Sequence, residues 1–309
     1  MKKITMPLLV MALIALFVCS CEQKRQYETV EGDPMESRIY TLDNGLKVYL
    51  TVNKETPRIQ TYIPVRVGGK NDPAETTGLA HYFEHLMFKG TENFGTSDYA
   101  AEKPLLDEIE ALFEVYRTKT DSAERAEIYR QIDSVSYEAS KYFIPNEYDK
   151  LMAAIGAEGT NAYTSFDVTC YQEDIPANQL ENWAKIQSDR FKHNVIRGFH
   201  TELETVYEEK NMSLTKDSRK LLEKLLSALY KNHPYGTQTV LGSQEHLKNP
   251  SITNIKNYFN RYYVPNNVAI CMSGDFNPDE VIEQIKKYFG DWQPNPELSR
   301  PEFEEQPAL

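Results

Sequence analysis

The chain is short of cysteine and of positive charge, and each shortage excludes a class of protein. Its 309 residues contain four cysteines, of which Cys19 and Cys21 lie near the N-terminus. The other two, Cys170 and Cys271, are too few and too far apart to form a disulfide framework. The 34 Lys and Arg residues face 46 Asp and Glu residues, which gives a net charge of −12. This balance argues against a nucleic-acid partner, because phosphate binding relies on a basic surface.

The N-terminal segment also lacks an apolar run long enough to span a membrane permanently. Its apolar residues 6–18 would rise only about 20 Å as a helix, whereas the hydrocarbon core of a bilayer is roughly 30 Å thick. They follow Lys2 and Lys3 and precede small residues, which is the order of parts in an export signal. We therefore expect a cleaved signal rather than a transmembrane anchor.

The end of this leader, Val18-Cys19-Ser20-Cys21, resembles the bacterial lipobox. We expect residues 1–20 to be a lipoprotein signal peptide and Cys21 to be lipidated. The protein would then be exported and lipid-anchored to a membrane of the bacterial cell envelope, on its periplasmic or outer-surface side. An ordinary cleaved signal with an incidental cysteine is the alternative. Residues 21–37 are polar and show no periodicity, so we expect a flexible tether there.

Alternating apolar residues predict strands at the start of the folded part. The alternation runs from Leu46 to Val52, after an Asn44-Gly45 turn, and again from Ile59 to Val67. Successive strands of this kind favour an antiparallel meander. Helical spacing of apolar residues then predicts a helical hairpin at about 100–148.

Strand-like and helical segments alternate from the hairpin to about residue 292. Together they predict an α+β fold with a mostly antiparallel sheet packed against helices, as a two-layer sandwich. Residues 293–309 contain four prolines and scattered acids. We expect this segment to be a linker to a further module.

The strongest chemical signal is the motif His81-Tyr82-Phe83-Glu84-His85. Residues four apart on a helix lie one above the other, so His81 and His85 can offer two imidazoles to one Zn²⁺. Glu84 lies beside that face, where a carboxylate can accept a proton from a water that the metal activates. The motif therefore predicts metal-assisted hydrolysis.

A catalytic zinc site needs a third protein ligand, and an acidic segment at 201–210 offers four carboxylates. Glu202 and Glu209 are separated by only about 20° around a helix axis and share a face. Glu204 and Glu208 lie on another face, where solvated charge is the simpler interpretation. Glu202 and Glu209 are therefore the candidates for the ligand and for a carboxylate that supports the site.

The run from Gly78 to Thr91, GLAHYFEHLMFKGT, resembles the inverted zinc motif of the pitrilysin/insulinase family, which includes mitochondrial processing peptidase. The resemblance covers about Tyr40 to Trp292. It is carried further by the segments Asn161-Ala162-Tyr163-Thr164-Ser165, Glu202 to Glu209, His233-Pro234-Tyr235-Gly236, Tyr263-Val264-Pro265-Asn266-Asn267 and Gly274-Asp275-Phe276.

The resemblance implies that residues 38–292 are a zinc metallopeptidase catalytic module with one Zn²⁺ per chain. Carried over residue by residue, the resemblance implies zinc ligands at His81, His85 and Glu209, a general base at Glu84 and a supporting carboxylate at Glu202. It also implies an edge strand that pairs with the substrate backbone at Asn161 and Ala162, and an aromatic side chain that lines the pocket at Phe88.

The resemblance also has implications for the helical hairpin, for the substrate and for a partner of the module. The stretch between His85 and Glu209 is longer than in well-known members, so the helical hairpin is expected to be an inserted element at the rim. Active members pair a zinc-bearing half with a second homologous half or partner subunit. We expect a zinc endopeptidase module that hydrolyses peptides or unfolded polypeptide segments. The alternatives are a non-catalytic binding or assembly subunit, and a truncated half that needs the second half for activity.

Overall fold

The computed structural model describes residues 27–303, and Cys21 and the predicted signal peptide lie outside them. In the described part, eleven helices accompany one six-stranded sheet whose strand order is β1-β2-β6-β3-β5-β4. The strands are β1 (Arg38–Thr41), β2 (Lys47–Val52), β3 (Arg58–Val65), β4 (Glu158–Thr164), β5 (Thr169–Pro176) and β6 (Ala269–Gly274).

The helices are α1 (Leu79–Leu86), α2 (Tyr99–Thr118), α3 (Ser122–Ser140), α4 (Glu147–Ala154), α5 (Leu180–Lys192), α6 (Phe199–Leu214), α7 (Asp217–Leu229), α8 (Pro234–Thr237), α9 (Gln244–Leu247), α10 (Ile252–Tyr262) and α11 (Pro278–Phe289). The predicted α+β class is confirmed. Four of the five strand pairings are antiparallel, so the sheet is mostly antiparallel as expected.

The expected meander is wrong, because β6 lies between β2 and β3. It runs parallel to β2, with Val48 opposite Ile270, and antiparallel to β3, with Thr61 opposite Met272. Alternation along a single strand reports which face is buried but carries no information about its neighbours. The last strand of the module therefore completes the centre of the sheet.

The core lies on the side of the sheet that the helices cover. Alternate residues of the central strands are buried, among them Val48, Ile63 and Ile270. Helices α5 and α11 pack against each other, and the aromatic side chains of Phe191 and Phe289 belong to the same buried cluster. Burial of this kind stabilises a fold by roughly 25 cal/mol per Å² of apolar surface.

The predicted helical hairpin is present as α2 and α3, which pack against each other. Asp121 caps the start of the second helix, since its side chain accepts hydrogen bonds from the amides of Ala123 and Glu124, both at 2.9 Å. Ile109, Phe113 and Ile132 are buried at the base of the hairpin. The hairpin is therefore anchored to the core by one apolar face.

The segment after residue 198 forms two helices, α6 and α7, which separate at Thr215 and Lys216. None of the residues of α7 is buried. Its leucines are largely exposed, with Leu221 at 71% and Leu225 at 51%. This helix presents an apolar face that the described residues leave uncovered.

Both ends of the described chain lie against the domain. Of the predicted tether, residues 27–37 are described, and Glu28 pairs with Ile39 of β1. At the other end, residues 293–303 form no helix or strand, but Arg300 donates to Asn267 at 2.6 Å. A membrane-spanning helix is not found among the residues that the structure describes.

Candidate metal centre

Helix α1 carries the histidine motif, and its sequence explains which way the motif faces. Leu79, Ala80, Tyr82, Phe83 and Leu86 are buried, so the apolar side of this eight-residue helix is held in the core. The two histidines lie on the remaining face and are only partly buried. Because α1 packs its apolar side into the core, both imidazoles lie along the one edge of the helix that faces away from the core.

Helix α6 lies against α1 and brings the two predicted carboxylates to the same edge. Tyr82 fixes the start of α6 against α1, because its buried hydroxyl donates to the carbonyl of Phe199, the first residue of α6, at 2.5 Å. Val206 and Lys210 are buried, which orients the helix. Glu202 and Glu209, two turns apart, consequently face the histidines.

The three predicted ligands converge on one point. The Nε2 atoms of His81 and His85 are 3.3 Å apart, and the Oε2 atom of Glu209 lies 3.5 Å and 3.6 Å from them. A tetrahedral zinc with bonds of about 2.1 Å puts neighbouring ligand atoms about 3.4 Å apart. Within the described residues this is the group of His, Cys, Asp and Glu side chains spaced to hold a metal ion. The donor set and its spacing fit Zn²⁺.

Glu202 does not join the ligand triangle but orients one of its members. Its Oε1 atom accepts a hydrogen bond from Nδ1 of His85 at 2.7 Å, which leaves Nε2 of that ring free to bind a metal. Lys89 contacts the other oxygen. Burial raises the pKa of Glu202, but the bonds from His85 and Lys89 outweigh it and lower the pKa to about 2. The carboxylate is therefore ionised at neutral pH.

The two histidines have different surroundings. Burial, together with the neighbouring His85, lowers the pKa of His81 to about 4, so this imidazole is neutral and able to coordinate a cation. Burial also lowers the pKa of His85, but the bond to Glu202 and the charge of Glu209 raise it above its ordinary value. A metal at this site would compete with that proton.

Glu84 lies beside the triangle and outside it. It is buried, and one carboxylate oxygen accepts a hydrogen bond from the hydroxyl of Thr164. Burial raises the pKa of Glu84, while the bond from Thr164 lowers it, and the result is a raised value. A carboxylate with a raised pKa is a better proton acceptor near neutral pH than an exposed one.

The strand that was predicted to hold a substrate backbone is an edge strand. Asn161 and Ala162 lie on β4, which is the last strand of the sheet and, among the described residues, pairs with β5 alone. Helix α1 lies against this strand, and Thr164 connects it to Glu84. The outer side of β4 therefore offers unpaired backbone groups next to the histidine motif.

Phe88 follows α1 by two residues and is partly buried. Its ring stacks on the guanidinium group of Arg190 at 4.5 Å and meets Tyr148 edge-on at 5.5 Å. Arg190 is fully buried and donates from Nε to the carbonyl of Met87 at 2.9 Å. The aromatic side chain is thereby held in one position beside the motif.

Sequence reasoning missed several residues that contact the predicted site residues, among them Lys89, Thr164 and Arg190. Lys89 and Thr164 lie within segments that carried the family resemblance, so their position was a usable signal.

Comparison with known proteins gives a consistent result. The family model described as insulinase (peptidase family M16) matches residues 47–106 and 132–241. A model described as the peptidase M16 inactive domain matches residues 251–308. The unmatched gap, 107–131, falls within the hairpin of α2 and α3.

Curated relatives include zinc proteases and a processing peptidase. The chain is 23% identical to the uncharacterized zinc protease YmxG of Bacillus subtilis, over 85% of this chain and 53% of that protein. It is 24% identical to the zinc protease PqqE of Helicobacter pylori, over 81% and 46%. It is 23% identical to a probable mitochondrial-processing peptidase subunit beta of Arabidopsis thaliana, over 82% and 39%. The chain thus spans about half or less of the length of these relatives.

Solved structures share the fold. A protease from Helicobacter pylori aligns with a TM-score of 0.66 and 24% identity, over 86% of this chain and 52% of that one. The periplasmic protease PqqL from Escherichia coli aligns with a TM-score of 0.65 and 17% identity, over 91% and 26%.

Proposed function

The chain belongs to the insulinase family, peptidase family M16, and from this premise we propose that it is the zinc-bearing module of a metalloendopeptidase. One observation carries the proposal. Two imidazole nitrogens and one carboxylate oxygen lie 3.3 to 3.6 Å apart. The carboxylate of Glu84 lies beside them, on the helix that carries the two histidines. Zinc, when bound by His81, His85 and Glu209, would supply a Lewis acid that polarises a peptide carbonyl and makes water more acidic.

Glu84 accepts the proton from the attacking water in this proposal. Its buried position raises its pKa, and the hydroxyl of Thr164 fixes the orientation of its carboxylate. Glu202 holds His85 through Nδ1, so the ring presents Nε2 in a constant direction. These contacts support a division of work in which Glu84 moves a proton and Glu202 positions a ligand.

The proposed substrate is an extended peptide or an unfolded polypeptide segment. Such a chain would add to the open side of β4 at Asn161 and Ala162, because edge strands bind extended peptides through backbone hydrogen bonds. Phe88, held against Arg190, would form an apolar wall for a side chain next to the scissile bond. Any unfolded segment can supply a backbone, so the pairing selects conformation more than sequence.

We further propose that a second homologous half or partner subunit completes the enzyme. This chain covers only 53% and 39% of two of the curated relatives described above, and one of them is named as a subunit. The exposed leucines of α7 agree with a covered surface in such an assembly. Attachment to the cell envelope through a lipid on Cys21 also remains a proposal.

The alternative is a non-catalytic binding or assembly subunit of the same family. A binding subunit has no chemical need for a proton acceptor beside two histidines, and Glu84 is retained here with its supporting Thr164. This observation favours the enzyme.

Replacement of Glu84 by Gln tests the proposal. Zinc content is measured by elemental analysis, and cleavage of an unstructured fluorogenic peptide is followed with and without the chain that supplies the second half. We expect E84Q to keep one zinc per chain and to abolish cleavage, since the amide cannot accept the proton. We also expect cleavage by the chain alone to be feeble and to rise strongly with the second half.

The control is Glu204→Gln, which changes an exposed carboxylate of α6 and should leave zinc and cleavage unchanged. Cleavage that persists in E84Q would contradict the assignment of the base. A wild-type chain without bound zinc would contradict the metal site itself.

A further inference from the structure

The helix that carries the histidine motif is short and has no capping side chain of its own. Helix α1 has eight residues, and its first flanking residue is Gly78 in the left-handed conformation, with φ at 88°. The first amides of any helix lack partners within the helix. In this case they are also buried, because Leu79 and Ala80 are buried. The amides of Gly78 and Ala80 therefore need acceptors from outside the helix.

Asp72 supplies these acceptors from six residues upstream. Its Oδ2 atom accepts from the amide of Gly78 at 2.8 Å, and its Oδ1 atom accepts from the amide of Ala80 at 2.9 Å. The side chain is only 5% exposed. Burial raises the pKa of Asp72 to about 8, against the lowering effect of the amide hydrogen bonds. Because both oxygens accept amide hydrogens, the side chain caps the start of α1 through two hydrogen bonds.

The loop between Asp72 and the helix is braced on its other side. Nδ1 of His246 lies 3.1 Å from the amide and 2.7 Å from the hydroxyl of Thr77. Gly78 also packs against the backbone of Gly242 so closely that a Cβ atom there would meet it at 2.8 Å. Asp72 itself is held from the same side, because the side chain of Gln238 donates to its carbonyl at 3.3 Å. Contacts outside α1 therefore fix both Asp72 and the loop that follows it.

His81 is the third residue of α1, immediately after Ala80, and lies in the turn that Asp72 holds. A frayed first turn would move the imidazole of His81 relative to that of His85, which lies in the second turn. We propose that Asp72 is a positioning residue of the metal centre, which fixes the first turn of α1 and with it the nitrogen that His81 offers to the metal. This inference rests on the proposed zinc site but assigns a role to a residue that neither touches the metal nor belongs to the motif.

The test compares two capping aspartates. Asp72→Ala removes the cap of the metal helix, and Asp121→Ala removes the two-bond cap of α3 in the hairpin. Zinc affinity is measured by competition with a chelator, and the visible absorption of a Co²⁺-substituted sample reports the geometry of the site. We expect D72A to weaken zinc binding about 10–100-fold, as changes to groups that support metal ligands do, and to weaken or shift the Co²⁺ absorption.

Both variants should lose some thermal stability, since each loses a helix cap. We expect D121A to keep zinc affinity within about threefold of wild type and an unchanged Co²⁺ spectrum, because a purely structural cap does not reach the metal. Asp72→Asn keeps the side-chain volume and one acceptor oxygen. It should fall between D72A and wild type, and it decides the question if D72A does not fold.

Zinc affinity of the Asp72 variants within about threefold of wild type, with wild-type Co²⁺ absorption, would overturn the proposal. Equal losses in D72A and D121A would overturn it too, because they would reduce Asp72 to a general contributor to stability. Failure of the wild-type chain to bind zinc is a different result, which contradicts the proposed function.

Discussion

The two carboxylates of α6 that face the histidines, Glu202 and Glu209, should respond differently to the same substitution. Glu209 offers an oxygen 3.5 and 3.6 Å from the two histidine Nε2 atoms, whereas Glu202 contacts Nδ1 of His85 and the side chain of Lys89. Replacing Glu209 by Gln removes an anionic ligand, and replacing Glu202 by Gln removes the charge that orients a ligand. We therefore expect E209Q to lose the metal and E202Q to keep most of it.

The structure sets the size of each effect. Hydrogen bonds from His85 and Lys89 outweigh burial and lower the pKa of Glu202 to about 2, so E202Q removes a charge that both partners contact. Lys89 does not contact the ligand triangle, so only the contact with His85 reaches the metal. An affinity loss of about 10–100-fold follows for E202Q. For E209Q, a zinc binding free energy of about 10–16 kcal/mol spread over the three protein ligands gives a loss of about 10³-fold.

Zinc affinity from chelator competition at fixed pH separates the two cases, with thermal unfolding measured on the same samples. Glu204→Gln is the matched control, because it removes an exposed carboxylate on another face of α6 and should change neither quantity. Metal retention by E209Q together with metal loss in E202Q would refute the reasoning and exchange the two roles. Equal losses in both would show that the ligand triangle has been assigned wrongly.

Two further predictions concern the anchor and the core. Cys21→Ser should abolish incorporation of labelled fatty acid and release the protein from the membrane fraction after a high-salt wash, since stable attachment needs acyl chains. Equal membrane retention of the wild type and the variant would contradict a lipid anchor. Glu173 is a fully buried carboxylate that accepts a hydrogen bond from the hydroxyl of Tyr148 at 2.7 Å and lies 3.8 Å from the buried Arg190. Denaturant titrations of Glu173→Ala should show a free energy of unfolding that is lower by about 3–5 kcal/mol. A loss below about 1 kcal/mol would show that the network contributes little.

The sequence was sufficient to predict the parts of the site that depend on local spacing. His81, Glu84 and His85 are separated by less than two helical turns, so their common edge follows from helix geometry alone. Glu202 and Glu209 are two turns apart on one helix, and the structure has them facing the histidines. The distinction between ligand and supporting carboxylate came from the family resemblance, because the spacing left both assignments open.

Other features depend on contacts between distant segments, and local patterns could not predict them. The position of β6 between β2 and β3 joins residues more than 200 positions apart. The break between α6 and α7 occurs in a segment without proline or glycine, where propensity predicts a continuous helix. Asp72 acts on a helix that begins seven residues later, across a loop whose path is fixed by His246 and Gly242.

Metal binding and peptide cleavage make different demands on this chain, and the difference explains how the module could retain one without the other. The proposed ligands lie on α1 and α6, and the groups proposed to hold them, Asp72, Tyr82 and Glu202, belong to the same module. Metal affinity should therefore be a property of this chain alone. The proposed substrate contact is one-sided, because β4 offers backbone groups along a single edge, and a peptide held along one edge is free to move on its other side. A second surface that closes over β4 would raise the rate of cleavage by orienting the peptide, while the affinity for zinc stayed as it was.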